Sequence, residues 1–144
     1  MPYGPWEHPR RLVPHVILSA LTNQEVKMTQ GTQQRDFVYV DDVVDALLMA
    51  AKAPVPPGSV FNIGSGAGTP VHEAAQLILR LMGDPVPLCL GAVPTRSDEI
   101  MEMSADITSA RNRLGWQPQT SLEDGLRKTV AWFKDNRELA QQYA

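Results

Sequence analysis

Two arginines and one carboxylate carry most of the chemistry legible in this sequence. Arg35 stands at the mouth of a β-prone run, Phe37-Val38-Tyr39-Val40, and Asp41 and Asp42 follow it. A guanidinium is a planar fork of donors suited to a phosphate, and a diphosphate offers several acceptors in a row. The same spacing is equally met by a structural ion pair between Arg35 and Asp36 or Asp42. Further on, Arg96-Ser97-Asp98-Glu99 lies in a loop after Pro94. There an arginine and a carboxylate three residues apart could grip a nucleotide, the first on phosphate and the second on two ribose hydroxyls. A solvated loop of mixed charge is the plainer alternative. Arg10-Arg11 is a further basic pair, with a surface role as the default.

Other motifs carry less. Gly64-Ser65-Gly66-Ala67-Gly68 follows a β-prone segment and precedes a helix, the setting of a dinucleotide-binding turn. The sixth position of that fingerprint is Thr69 rather than glycine. The acidic residue due about 20 residues later, Asp84, falls in a Gly83-Asp84-Pro85 turn instead of ending a strand. A tight structural turn is the reading this supports. His8, His15 and His72 lack metal-site spacing, and a single cysteine, Cys89, makes neither an internal disulfide nor a cysteine-based zinc site. No catalytic constellation and no metal site is expected.

These residues need elements to hold them. The 144 residues suit one domain, and 43% hydrophobic content suffices for a core. A net charge of −3 with intermixed signs argues against a nucleic-acid or anionic-membrane surface. No apolar run approaches the roughly 20 residues that span a bilayer, and a cytoplasmic protein is expected. Residues 1–9 read as an irregular entry. Helices are expected over 12–21, from Asp41 to 52, from a Thr69 cap with Pro70 first to a stop at Gly83, from an Asp106 cap to 114, and from Ser121 onward. Strands are expected at 26–28, 37–40 and 60–63. The helix after Asp41 is apolar nearly all round, which predicts deep burial. The class is α/β, mixed α+β: a few short strands with about five helices and no complete Rossmann sheet.

The order of segments adds to this. Tyr3-Gly4-Pro5, Arg11-Leu12-Val13-Pro14, Arg35 to Asp42, Phe61-Asn62-Ile63-Gly64-Ser65-Gly66, Arg96 to Glu99, Leu114-Gly115-Trp116-Gln117-Pro118 and Leu122 to Leu126 occur in series. The series resembles the C-terminal, nucleotide-sugar-binding half of the NAD-dependent epimerase/dehydratase family, the extended short-chain dehydrogenases. The resemblance implies roles. Arg35 and Arg96 would contact the diphosphate, and Glu99 the ribose, with Asp98 one step off. Arg11 and Leu12 would lie along the diphosphate, and Lys27 and Met28 beside the base. It also implies a nucleotide-diphosphate sugar as ligand, and NAD or NADP as cofactor of the whole enzyme but not of this chain.

The departures from the family matter as much. No Gly-rich loop of the NAD-binding kind precedes Tyr3-Gly4-Pro5. No tyrosine has lysine four residues on: Tyr3 gives Glu7, Tyr39 gives Val43, and Tyr143 is too near the end. The family's chemistry needs both the hydride carrier and that tyrosine–lysine pair. The expectation is therefore a single domain over 1–144 with the NAD-binding domain absent and no turnover alone. A separate NAD-binding lobe is an expected partner. Without one, exposed apolar surface should drive homo-oligomerisation, through exchange of residues 1–25 between chains.

Overall fold

A computed structural model describes residues 1–138 and leaves Tyr143 outside the described residues. In chain order the elements are β1 (Pro2–Tyr3), α1 (Leu12–Leu21), β2 (Val26–Met28), β3 (Gln34–Arg35), β4 (Val38–Tyr39) and α2 (Val40–Lys52). Then come β5 (Thr69–Pro70), α3 (Val71–Met82), β6 (Leu88–Leu90), α4 (Thr108–Leu114) and α5 (Leu122–Asp135). The strands form three two-stranded sheets: β1 with β4 and β2 with β6, both parallel, and β3 with β5, antiparallel. The mixed α/β class with five helices and no complete Rossmann sheet is what the described residues contain.

The main core lies where α1, α3 and α5 pack together. Val13, Val16, Ile17 and Ala20 of α1 recur at three- and four-residue spacing and are buried. Pro14 is tolerated because a first-turn N–H has no helical partner to lose. Ala74, Ala75 and Ile78 of α3 meet them, with Leu126, Val130 and Phe133 of α5. The ends follow sequence signals. Ser121 Oγ accepts from Asp124 N at 3.1 Å, and Gly83 and Gly115 close α3 and α4 in the left-handed region.

Gly125 sits within α5, where glycine ordinarily costs about 1 kcal/mol relative to alanine. Here a Cβ would collide with the Tyr3 hydroxyl and come 3.1 Å from Tyr39 Cδ2. Tyr3 is buried and its hydroxyl donates to Leu122 O at 3.2 Å, so it cannot swing aside. Overpacking costs about 1–3 kcal/mol. Gly125→Ala should therefore destabilise by about 1–2 kcal/mol rather than stabilise. Urea unfolding reads the sign.

Several expectations are corrected. Residues 60–63 form no strand: Val60 is exposed, while Phe61 and Ile63 rest against a second, smaller cluster with Val38, Ala46, Ala110, Leu114 and Trp116. Residues 1–9 are not wholly irregular, because Pro2 and Tyr3 pair in register with Val38 and Tyr39. Helix α2 begins at Val40, not Asp41, and Tyr39 takes the cap position without a side-chain bond. Thr69 lies in β5 and does not cap α3; Pro70 takes the cap position, with no side-chain bond. The first N–H groups of α3 find backbone acceptors instead, Val71 N on Gln33 O and His72 N on Gly31 O.

The largest correction concerns α2. Asp42 and Ala46 are its buried residues, while Leu47 is 64% and Leu48 53% exposed. Val44, Leu47 and Leu48 form an outward apolar stripe at i, i+3, i+4. The inward face is taken by α4 and Trp116, and among the described residues no second layer covers the other side. The β1–β4 pair points the same way, since parallel strands ordinarily belong to larger sheets covered on both faces.

Candidate functional site

Three side chains far apart in sequence meet in one cluster. Arg35, on β3, donates from Nη1 to Gln34 O and Ile100 O, each at 2.7 Å, and from Nη2 to Glu99 Oε1. Arg96 Nη2 lies 3.3 Å from Glu99 Oε2. One carboxylate thus joins both guanidiniums. Arg35 pairs with neither Asp36 nor Asp42, the partners its sequence neighbourhood suggested. The two arginines differ in setting: the Arg35 side chain is 15% exposed and that of Arg96 75%. Arg35 is fixed in place and Arg96 stands at the rim. Two cations against one carboxylate leave the cluster net positive, with N–H donors to spare for an anion.

The backbone brings the cluster together. Gln34 N donates to Met101 O at 2.7 Å, and Val93 N to Met28 O at 3.2 Å. The loop between β6 and α4 is therefore tied to β2 at its start and to β3 past Glu99. Its far end is tied by Asp36, whose carboxylate accepts from Ser65 N at 2.5 Å, Gly66 N at 3.1 Å and Ala105 N at 2.9 Å. Burial disfavours the charged form of Asp36, but these donors outweigh it and its pKa lies below the usual aspartate value. Asp42 does similar work opposite. It accepts from Thr120 N at 3.0 Å and Gln119 N at 3.2 Å, and its carbonyl takes Trp116 Nε1 at 2.9 Å.

The other implied ligand-contacting residues lie in separate contacts. Arg11 pairs with Glu7 at 2.8 Å. Leu12 opens α1 and packs on the main core, and the Met28 side chain is buried in that core. Lys27 points to the other face of β2, exposed and paired with Glu25 at 2.7 Å. Sequence reasoning missed Asp36, Asp42 and Glu7. Only Glu7 had a local signal, its position four residues before Arg11.

The model of the NAD dependent epimerase/dehydratase family matches residues 1–64. CDP-abequose synthase of Salmonella muenchen is 34% identical over 130 residues, covering 90% of this chain and 44% of that protein. UDP-glucose 4-epimerase of Mycolicibacterium smegmatis is 34% identical over 140 residues, covering 94% and 44%. The crystal structure of UDP-glucose 4-epimerase from Thermotoga maritima, with UDP-glucose, superposes with a TM-score of 0.86 at 35% identity over 94% of this chain and 44% of that one. The chain belongs to the NAD-dependent epimerase/dehydratase family. It spans less than half the length of the relatives it matches.

Members of this family use NAD, and the Gly64–Gly68 turn is the segment of this chain closest in pattern to a dinucleotide cradle. It does not fit a pyrophosphate. The Ser65 and Gly66 N–H groups that would hold one bond the Asp36 carboxylate, which would also repel it. Gly64 is required for a different reason: a Cβ there would collide with Asp36 Oδ2. Among the described residues no helix is long and apolar enough to cross a membrane, and no cluster of histidine, cysteine and acidic residues has metal-binding form.

Proposed function

We propose that this chain is the nucleotide-diphosphate-sugar-binding lobe of a cytoplasmic NAD-dependent epimerase, dehydratase or 4-ketoreductase, and that it binds ligand without turning it over. The observation that carries the reading is the shared carboxylate: Arg35 and Arg96 converge on Glu99 from elements 61 residues apart in number. A diphosphate bears more negative charge than one carboxylate and competes for the spare donors of both forks. Glu99, held between the arginines, can then accept ribose hydroxyls. The chain's own residues thus bind and orient. Hydride transfer and proton transfer need an NAD site and a Tyr-x-x-x-Lys pair, which belong to a second lobe.

The test is calorimetry of the chain with UDP-, GDP-, CDP- and dTDP-sugars, alongside a turnover assay with added NAD. Binding of at least one sugar nucleotide without turnover is expected. Robust turnover would refute the missing-parts reading, and no binding to any of the four would remove the ligand class.

The uncovered stripe of α2 favours a second, compatible reading, that the lobe seeks a partner. The NAD-binding lobe is the occupant that fits the reading above, and self-association is the outcome when that lobe is missing. At high concentration the wild type should scatter light as an oligomer. Leu47→Lys/Leu48→Lys should be monomeric, with little change in thermal stability because neither side chain is buried in the monomer. A wild type that stays monomeric at high concentration rejects this reading.

A further inference from the structure

Helix α2 carries two exposed charges, Asp45 and Lys52, and neither forms an ion pair among the described residues. They stand seven residues apart. At 3.6 residues per turn that is two turns less about 20°, so both project from one flank of the helix. They are about 10 Å apart along it, too far to pair with each other. Leu48 lies between them, and the outward apolar stripe of Val44, Leu47 and Leu48 runs beside them. Asp41, exposed on the same flank, adds to the acidic end. A cavity of about 340 Å³ opens along that flank, lined by Asp45, Leu48, Met49, Lys52 and Trp116 among others.

This pattern is self-complementary in one geometry. Consider a two-fold axis that lies in the interface and runs perpendicular to two antiparallel helices. It reverses the direction of the second helix and keeps each residue on the same side of the interface. With the axis at Leu48, Asp45 of one copy meets Lys52 of the other, and the reciprocal pair forms by symmetry. The apolar stripes cover each other between the two pairs, and the cavity leaves room for the incoming flank. A parallel pair places the charged flanks of the two copies on opposite sides of the interface, where they cannot meet. A surface of different sequence would have to supply both signs at the same spacing. A second copy carries them already.

We infer that the uncovered face of α2 pairs with α2 of a second copy, antiparallel about a two-fold axis at Leu48, with reciprocal Asp45–Lys52 ion pairs beside the covered stripes. This pairing rests on the self-association reading above and is independent of the ligand that the lobe binds.

Sedimentation equilibrium of the whole chain tests it, with Asp45→Lys, Lys52→Asp and the double exchange. Each single exchange turns two attractive pairs into two repulsive ones and should weaken dimerisation by about tenfold or more at low salt. The double exchange should recover the wild-type affinity. An equimolar mixture of the two single variants should form a heterodimer of about wild-type strength, since every facing pair is again opposite in sign. Both positions are exposed, so thermal unfolding of the dilute monomer should change little. Cross-linking reads the direction of the helices. In a Cys89→Ser background with oxidised glutathione, Leu48→Cys should link to its own copy. Val44→Cys should not, because one turn from the axis on each chain sets the two positions about 12 Å apart along the helices. A wild type that stays monomeric overturns the pairing together with the self-association reading. A dimer indifferent to the single exchanges, or one that neither the double exchange nor mixing restores, overturns the pairing alone and leaves association to another route, such as exchange of residues 1–25. Cross-linking at Val44 as readily as at Leu48 would mean a parallel pair and overturns it as well.

Discussion

Asp36→Ala should lose about 3–5 kcal/mol of folding stability, a large part of the 5–15 kcal/mol typical of a domain. Three backbone N–H groups, of Ser65, Gly66 and Ala105, lose a charged acceptor at once. Each hydrogen bond to a charged group is worth about 1.5–3 kcal/mol, reduced where water reaches the freed donor. Asp36→Asn, with one oxygen left to accept, should lose about half as much. The pH dependence has a definite sign. The folded pKa of Asp36 lies below its ordinary 3.8, so its contribution is present above that value and disappears as pH falls through the folded pKa. Glu7 acts oppositely. Its folded pKa is raised above the ordinary 4.5, so its ionisation costs stability as pH rises past that value. Urea midpoints between pH 2 and 7 should therefore show an acid-side loss in the wild type that is smaller in Asp36→Asn, where Glu25, Asp106 and Asp124 still contribute. An Asp36→Ala unfolding free energy within about 1 kcal/mol of wild type would show that the anchor does not matter.

That anchor also explains what was legible in the sequence and what was not. Local rules gave α1, the Ser121 cap and the glycine stops of α3 and α4, because helix ends are decided by residues within one turn. They also gave β2, whose Val26 and Met28 alternate inward about Lys27. They failed where distant backbone replaced local chemistry. The Thr69 cap was expected because Thr-Pro before an apolar run is a start signal. In the fold, Gln33 and Gly31 supply the acceptors and leave residues 69–70 free to pair with β3. The strand expected at 60–63 failed because Phe61 and Ile63 rest against α4 and Trp116, Val60 faces solvent, and no strand among the described residues lies beside them to pair. The apolar circumference of α2 was read correctly as composition, but burial needs a second layer, and the described residues supply only one.

At the site, residue types were legible and pairings were not. Arg35, Arg96 and Glu99 stood out by chemistry and by resemblance. Nothing local says that Glu99 rather than Asp36 meets Arg35. Asp36 is drawn away by three N–H donors, two from the glycine turn and one from residue 105. The carboxylate next to the arginine thus shapes the loop, and the carboxylate 64 residues away completes the cluster. The partial dinucleotide fingerprint at 64–68 has the same origin. Its glycines let backbone close around Asp36, which produces the spacing of a phosphate loop around a side chain of the protein itself.

The cluster makes its strongest prediction through the difference between its arginines. Arg35→Ala should weaken nucleotide-sugar binding about 100-fold or more, since removing one partner of a buried, hydrogen-bonded charge pair costs about 2–5 kcal/mol. Arg96→Ala should weaken it by roughly three- to tenfold, because an exposed guanidinium is screened and pays side-chain entropy to bind. Arg35→Lys keeps the charge and loses the fork, so it should fall between. Arg35 also holds Ile100 O and Gln34 O, so its loss frees part of the loop that carries Arg96. The double variant should then lose less than the sum of the single losses, because the two side chains share Glu99 and one loop. Calorimetry of the four proteins against the best sugar nucleotide measures this coupling, with thermal unfolding to separate lost contacts from lost fold. Equal losses at the two positions, adding without coupling, would mean that the arginines act as independent surface charges and not as one diphosphate grip.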